Sequence, residues 1–168
     1  MTPDDLVLTP TGLRFQGRRF PVTIGRNGIT TDKHEGDGAT PAGRHRIVGL
    51  LYRPDRIART ALPRWAVPIG AQDLWCDAPG HTDYNQMVRA PFRDSHEKLR
   101  RADPLYDLVL ITDWNWPRAV PDKGSAIFLH LQRRPGYPTA GCVAFRRTDL
   151  LWVVNRLCPG ARLIVRAG

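Results

Sequence analysis

The sequence contains few residues of the kinds that build disulfide frameworks or zinc sites. Only three cysteines, Cys76, Cys142 and Cys158, occur among 168 residues. An odd number leaves at least one thiol free even in an oxidising compartment. No Cys-x-x-Cys spacing occurs, which argues against zinc or thioredoxin-type chemistry. We expect Cys76 and Cys158 to be packing residues, with a disulfide between them conceivable only under oxidising conditions.

Long apolar runs are also absent. No stretch approaches the roughly 18 apolar residues that a membrane helix needs, so we expect no membrane span. The N-terminus is acidic at Asp4 and Asp5 and lacks a basic segment followed by an apolar run, so no secretory signal is visible. A cytoplasmic location, an unconventional export route and a missing leader all stay open.

Charge of one sign dominates, but it is not concentrated in a block. The net charge is +9, and the sequence has no run of five like charges, which argues against a dedicated basic arm. A positive protein attracts polyanions such as nucleic acid, anionic membranes or a carboxylate-bearing bacterial cell wall. Because the sequence contains no RNP-like, KH or zinc-finger pattern, a basic nucleic-acid-binding module is the weaker alternative, and we expect no nucleic acid as a partner.

The length and the apolar pattern predict one mainly β (α+β) domain covering residues 1–168. A chain of this size can bury a core without cross-links. Alternation with a period of two, together with short apolar runs, indicates strands bounded by Gly and Pro. The predicted strands are residues 6–8, 13–16, 19–24, 45–53, 106–112, 125–131, 143–145 and 162–166.

Three other segments complete this prediction. Residues 25–44 are Gly-rich and charged, which is typical of a long functional loop. Residues 54–104 are rich in Pro and Arg and predict an irregular excursion with a helical turn near 95–101. Residues 148–157 show a helical apolar face, and either Thr148 or Asp149 could cap the helix.

The stretch from His130 to Cys142 carries the chemistry. A histidine ends a predicted strand, a Pro/Gly loop follows, and Cys142 precedes another strand. A thiol needs a nearby base or cation to become nucleophilic, and imidazole can serve as either. Gly141 would leave room for substrate beside the nucleophile, and the N–H groups around Gly141 and Cys142 could form an oxyanion hole. Taken by spacing alone, a buried cysteine and a structural histidine explain the pattern as well.

This stretch resembles the catalytic signature of YkuD-domain L,D-transpeptidases. The matching residues are His130 and the run Thr139-Ala140-Gly141-Cys142. A second element, Thr40-Pro41-Ala42-Gly43, is similar to the Thr-Pro-x-Gly motif near the start of those domains. The resemblance covers about residues 18 to 166 and implies a YkuD-like β-sandwich or barrel of short strands with one or two helices.

The sequence also departs from the family pattern. Ala140 stands where many members have His, Leu131 where Gly is usual, and Ala144 where Arg or Asn is frequent. This variant resembles a divergent proteobacterial branch in which some members join residue 1 of one stem peptide to residue 3 of another. Both 3-3 and 1-3 cross-links therefore stay open.

The resemblance implies a cysteine acyltransferase that acts on peptidoglycan stem peptides. Cys142 is the implied nucleophile, His130 its base and Gly141 part of the catalytic site. An L,D-carboxypeptidase or endopeptidase with the same residues is the alternative. No metal or other cofactor is implied. We expect a monomer, and the family points to the periplasm.

Further residues are candidates for substrate binding. Arg133 and Arg134 lie in the loop between His130 and Cys142, although solvated loop charges are an equal interpretation. His96 could hold a carboxylate, but an exposed or structural role is the stronger interpretation. Glu35 and Asp37 could recognise an amine, or could be ordinary turn residues. The candidate substrate-binding residues are Thr139, Ala140, Arg133, Arg134, Tyr84, Asn85 and His96.

Overall fold

A computed structural model describes residues 2–167 and shows a mainly β chain, as the sequence predicts. A single α-helix, α1, spans Arg147–Val154, and a short 3-10 turn spans Arg59–Ala61 within the described residues. No helix within residues 2–167 is long and apolar enough to cross a lipid bilayer. The strands are β1 Leu6–Thr9, β2 Gly12–Phe15, β3 Arg18–Phe20, β4 Val22–Thr23, β5 Ile29–Thr30, β6 Thr40–Pro41, β7 Gly43–Tyr52, β8 Val67–Pro68, β9 Asp73–Cys76, β10 Met87–Arg89, β11 His96–Lys98, β12 Leu108–Thr112, β13 Phe128–Leu131, β14 Val143–Phe145 and β15 Arg162–Val165.

The main sheet curls into a nearly closed barrel. It has ten strands in the order β3-β2-β1-β15-β7-β12-β13-β14-β4, with β8 added beside β7. The end strands β3 and β4 are neighbours in the chain and are separated only by Pro21. Because proline has no N–H to donate, it ends one ladder and lets the chain begin another. The sequence prediction of one continuous strand over residues 19–24 is therefore wrong.

Alternating side chains build the core of this barrel. Leu13, Phe15 and Phe20 are almost fully buried, whereas the intervening Arg14 and Arg19 are exposed. The helix α1 adds Leu150, Val153 and Val154 to the same core. This alternation is the pattern expected for strands with one face covered.

The helix differs from its predicted bounds. It begins at Arg147 after Arg146, which has extended backbone angles and gives no side-chain cap, so the predicted capping by Thr148 or Asp149 is wrong. It ends at Val154, and Leu157 lies just after the turn that follows but is still buried. The apolar pattern continued past the end of the helix because the turn packs against the same core.

Regions predicted to be irregular contain small sheets. Strands β5 and β6 pair in parallel within the predicted 25–44 loop. Strands β10, β9 and β11 form a three-stranded antiparallel sheet within residues 54–104. The predicted helical turn near 95–101 is wrong, because His96–Lys98 pairs as a strand with the buried strand β9.

The small sheet docks on the strand that carries His130. The ring of Trp75 on β9 lies edge-on to Phe128 on β13, with centroids 5.0 Å apart. Tyr106, just before β12, also packs against Phe128, with ring centroids 6.0 Å apart. These aromatic contacts hold β9, the central strand of the small sheet, against β13, although the two strands are far apart in the sequence.

Thr40 ties the 25–41 segment to the loop that precedes β14. Its hydroxyl accepts a hydrogen bond from Gly25 N at 3.0 Å and donates one to Gly141 O at 2.8 Å. Two backbone hydrogen bonds join Arg26 N to Thr139 O and Thr139 N to Ile24 O, at 3.0 and 2.9 Å. Thr40 is fully buried, so these groups have little access to water.

Thr40→Val tests this tie. The substitution keeps the shape of the side chain but leaves a buried N–H and a buried C=O without their partner. We expect the free energy of unfolding to fall by about 1–3 kcal/mol. Denaturant unfolding of the variant is the measurement. Thr82→Val, at an exposed threonine, is the matched control and should change stability by less than about 0.5 kcal/mol. Equal effects of both substitutions would contradict the role of Thr40.

Candidate active site

A cavity of about 320 Å³ opens beside Cys142. The sequence-predicted residues that line it are His130, Arg133, Thr139, Ala140 and Cys142. Lining residues that the sequence analysis did not select are Arg26, Glu97, Arg101, Tyr106 and Tyr137. The structure therefore brings the predicted histidine and cysteine together in one cavity.

Parallel pairing of β13 with β14 explains this meeting. His130 lies opposite Ala144, and Leu129 lies opposite Val143. Cys142 precedes Val143 and is two residues from Ala144, so it lies toward the same face of the sheet as His130. Parallel neighbours cannot be joined by a tight hairpin, so the loop of residues 132–141 makes the crossing.

The thiol of Cys142 is held by the backbone before β13. Sγ donates a hydrogen bond to Ala126 O at 3.1 Å and accepts one from Phe128 N at 3.4 Å. Burial of the sulfur raises the pKa of Cys142 to about 12, because an ion is poorly solvated there. The resting side chain is thus a neutral thiol whose proton is directed at Ala126.

His130 is held as a neutral imidazole. Its Nδ1 lies 2.8 Å from Leu131 O, and because a carbonyl only accepts, Nδ1 carries the proton. Nε2 therefore has a free lone pair. The ring is 5 % exposed and lies edge-on to Tyr106, with centroids 5.3 Å apart. Burial lowers the pKa of His130 to about 4, so the ring is uncharged at neutral pH.

Asn85 holds the loop whose Ala126 carbonyl accepts the hydrogen bond from the Cys142 thiol. Ala126 has a φ of 50°, which is uncommon for a residue with a Cβ, and its N–H donates to Asn85 Oδ1 at 2.9 Å. The same oxygen accepts from Trp75 Nε1 at 3.0 Å, while Nδ2 donates to two backbone carbonyls in the loop after β12. Asn85 is 2 % exposed, so it acts as a buried bracket behind the cavity rather than as a lining residue.

Gly141 is required by chain packing. Its φ is 146°, and a Cβ at this position would lie 2.8 Å from Ala39 O. The expected room for substrate is therefore filled by the chain itself. Its N–H donates to Thr139 Oγ1 at 3.1 Å, and that hydroxyl donates to Cys142 O at 2.6 Å. The Gly141 N–H therefore already donates a hydrogen bond to Thr139 and does not point toward a ligand.

Glu97 brings a carboxylate into the cavity. Tyr106 donates its hydroxyl to Glu97 Oε2 at 2.6 Å. Burial, followed by the charge of Glu97, raises the pKa of Tyr106. The guanidinium of Arg101 lies 5.2 Å from the Tyr106 ring and pairs with Asp103 at 2.7 Å. The sequence analysis selected the adjacent His96, but the side chains of neighbouring strand residues point to opposite faces, and Glu97 is the one that lines the cavity.

Other predicted site residues lie away from the lining. Tyr84 is buried and donates its hydroxyl to Glu35, which also accepts from Ser125 Oγ at 2.7 Å. The Nδ1 atom of His96 forms a hydrogen bond to Asp94 O, two residues earlier in the chain, at 2.7 Å. Arg134 stacks on Tyr137, with its guanidinium carbon 4.5 Å from the ring centroid. Together with Asn85, these side chains do not line the cavity.

The remaining expectations have separate outcomes. Asp37 pairs with the buried Lys33 at 2.6 Å, so both it and Glu35 bind within the protein. All three cysteines are free thiols. Cys76 is fully buried, which confirms its prediction as a packing residue, whereas Cys158 is exposed and the same prediction for it is wrong.

Comparison with known proteins gives one match. The family model YkuD, described as the L,D-transpeptidase catalytic domain, matches residues 11–165. No curated protein and no solved structure matches the chain. The matched region contains every residue that lines the Cys142 cavity.

Asn85→Ala tests whether Asn85 holds the loop around Ala126 in place. It leaves the buried N–H groups of Ala126 and Trp75 without an acceptor, so we expect the free energy of unfolding to fall by about 2–4 kcal/mol. Denaturant unfolding is the measurement. Asn85→Asp is the matched comparison: it keeps an acceptor but places a buried carboxylate against the carbonyl oxygens of Trp114 and Asn115, so it should cost at least as much as Asn85→Ala at neutral pH. A loss below about 0.5 kcal/mol in Asn85→Ala would rule out this role.

The pKa of His130 gives a pH dependence with a definite sign. The native ring titrates near pH 4 and an ordinary histidine near 6.5. Between these values the unfolded chain binds more protons, so native stability is full above pH 6.5 and falls as the pH drops toward 4. The loss is about 3 kcal/mol. Unfolding curves for wild type and His130→Gln should converge over this window, and parallel curves would contradict the assignment.

Proposed function

Because the chain belongs to the YkuD family of L,D-transpeptidase catalytic domains, we propose that it acylates Cys142 with a peptidoglycan stem peptide and transfers the acyl group to an acceptor amine. The product is a non-classical 3-3 or 1-3 cross-link. The observation that supports this most is the cavity shared by His130 on β13 and Cys142, which immediately precedes the parallel neighbour β14. We also propose that residues 1–168 form one catalytic domain and act in the periplasm.

The first half-reaction starts from a neutral pair. Burial keeps the proton on Cys142 and off His130, so a preformed thiolate–imidazolium pair is not the ground state. The S–H leaves Ala126 O and passes its proton to the free nitrogen of His130 as Sγ attacks the substrate carbonyl. The S–C bond forms, His130 becomes an imidazolium, and this cation protonates the departing amine. The product is a thioester, and the histidine is neutral again.

The negative charge on the tetrahedral intermediate needs a donor beside Cys142. The Gly141 N–H already donates to Thr139 Oγ1. We therefore assign the oxyanion contact to the backbone N–H of Cys142. The hydroxyl of Thr139, bonded to Cys142 O at 2.6 Å, fixes the orientation of that peptide.

The second half-reaction returns the site to its initial state. An acceptor amine attacks the thioester, His130 takes the amine proton, and the thiol is reprotonated as it leaves. If water takes the place of the amine, the same site acts as an L,D-carboxypeptidase or endopeptidase. The two outcomes use the same residues and differ only in the nucleophile that enters the cavity.

The charges around the cavity suit a substrate with both an amine and carboxylates. We propose that Glu97 holds the amine, because its carboxylate lines the same cavity as Cys142. Arg26 and Arg133 contribute positive charge to the same cavity and would bind carboxylates; the contact of Arg133 with Asp103, at 3.8 Å, is much longer than that of Arg101. Arg101 is already paired with Asp103, so it serves to hold Tyr106 and the loop.

Cys142→Ala tests the reaction. Purified muropeptides incubated with wild type should yield dimers detected by mass spectrometry. In Cys142→Ala the rate should fall by roughly 10⁴-fold or more, since the nucleophile is missing. Cys158→Ala, at an exposed thiol, is the matched control and should keep wild-type activity. Shortened peptides without dimers would identify a hydrolase, and full activity of Cys142→Ala would end the cysteine mechanism.

A further inference from the structure

A row of arginines crosses the outer face of the barrel. In the sheet register Arg19 lies opposite Arg14, and Arg14 lies opposite Val7 on β1. Val7 lies opposite Ile164 on β15, and Ile164 lies opposite Arg44 on β7. These positions form one line across β3, β2, β1, β15 and β7, which we call the arginine row: Arg19, Arg14 and Arg44.

The arginine row points to solvent. Leu13, Phe20 and His45, the strand neighbours of these arginines, are buried, whereas Arg14, Arg19 and Arg44 are exposed. Adjacent strands are about 4.8 Å apart, so the strands of Arg14 and Arg44 are separated by roughly 14 Å. The row therefore presents positive charge over a length that several anionic groups could occupy together.

In the next row on the same face one of two arginines is paired with a carboxylate, whereas the arginine row has no such pair within residues 2–167. Arg162 lies opposite Arg46, but Arg162 also pairs with the buried carboxylate of Asp5 at 2.8 Å. Arg14, Arg19 and Arg44 form no ion pair with any carboxylate in residues 2–167. Two like charges directly opposite each other in a sheet destabilise it. The Arg14–Arg19 pair is thus a cost to the fold without an internal compensation.

Protection of a sheet edge does not account for the whole row. Charged residues on an edge strand prevent pairing with other chains, and β3, which carries Arg19, is such a strand. Arg14 and Arg44 lie on β2 and β7, which have neighbours on both sides. Their charges therefore need another explanation.

A second cavity of about 500 Å³ lies at one end of the arginine row. Its lining includes Arg14, Arg18, Arg19 and Arg166, and it shares no residue with the Cys142 cavity. The lining also includes Asp5, which is paired with Arg162, and Arg18 stacks on Trp152, so Arg14 and Arg19 are the two members of the row that border this cavity. It is a separate site from the one that carries the proposed chemistry.

We propose that the arginine row binds carboxylate groups of the peptidoglycan polymer and so holds the protein on its insoluble substrate while the Cys142 cavity acts on one stem peptide. This inference rests on the proposed function for the identity of the polymer. Guanidinium groups bind carboxylates through paired hydrogen bonds. One exposed pair contributes little, but several contacts to one polymer add through effective concentration.

The composition of this face favours a carboxylate polymer over other polyanions. The exposed large aromatic residues of the described chain, Trp116 and Tyr137, both lie outside the strands of the row. Single-stranded nucleic acids are bound by stacking on aromatic rings. Membrane surfaces are bound by aromatic and large apolar anchors next to the basic residues. Within residues 2–167, the strands of the row carry no exposed aromatic ring, and the apolar side chains at the surface of this face are the exposed Val48 on β7 and the partly exposed Ile164. These two aliphatic side chains are a weak anchor beside the charge of the row.

The test compares two triple variants with the same change in net charge. One is Arg14→Gln/Arg19→Gln/Arg44→Gln, and the control is Arg64→Gln/Arg93→Gln/Arg118→Gln, at exposed arginines elsewhere. Co-sedimentation with purified peptidoglycan sacculi should show about 10-fold weaker binding for the row variant and near wild-type binding for the control. Turnover of soluble muropeptides should be unchanged in both, whereas turnover on sacculi should fall only in the row variant.

Three results would overturn the proposal. They are unchanged sacculus binding by the row variant, an equal loss in both triple variants, or a larger loss of binding to duplex DNA or anionic vesicles than to sacculi. Failure of the proposed function is seen separately, because wild type would then leave soluble muropeptides unchanged whatever its binding to sacculi. Unfolding curves of both variants show whether each is folded during these measurements.

Discussion

The parallel pairing of β13 with β14 is the contact on which the candidate site depends. It places His130 and Cys142 toward the same face of the sheet, and it requires a crossing loop instead of a hairpin. That loop must return close to the 38–41 segment, where Thr40 bonds Gly141 O and Ala39 O leaves no space for a side chain at residue 141. The Thr-Pro element and the Gly-Cys element are therefore two halves of one packed structure, although they are far apart in the sequence.

Burial sets the protonation state of both reactive groups in the same way. Burial away from water raises the pKa of an acid such as a thiol and lowers the pKa of a base such as imidazole. Both effects keep the pair neutral, and the hydrogen bonds to Ala126 O and Leu131 O fix where each proton lies. We therefore expect the site to separate charge only when a substrate supplies the reacting carbonyl, so that the oxyanion forms beside the backbone N–H of Cys142.

The sequence predicts the parts of this molecule that follow local rules. Alternation around Leu13 and Phe15 identifies outer strands, because each strand buries one face. The motif residues His130 and Cys142 are recognisable through their resemblance to the family signature, since both lie in one short stretch of the chain. Glu97 and Asn85 are different: the first enters the cavity through pairing of β11 with β9, and the second acts through Ala126 on the far side of the chain. No local pattern marks Glu97 as a cavity residue, and the sequence analysis selected Asn85 only as a candidate for substrate binding, because the actual role of each depends on tertiary contacts.

The contrast between Cys142 and Cys158 has a consequence for inhibitors. Cys142 is a buried acid whose proton is hydrogen-bonded, whereas Cys158 is open to solvent. We expect an electrophile chosen only for its reactivity toward thiols to react first with the exposed Cys158. A selective compound has to imitate a substrate, with an anionic and a cationic group set to engage the walls around Cys142, so that binding in the cavity precedes bond formation. Affinity for the Cys142 cavity, and not the reactivity of the electrophilic group, is then the property to optimise.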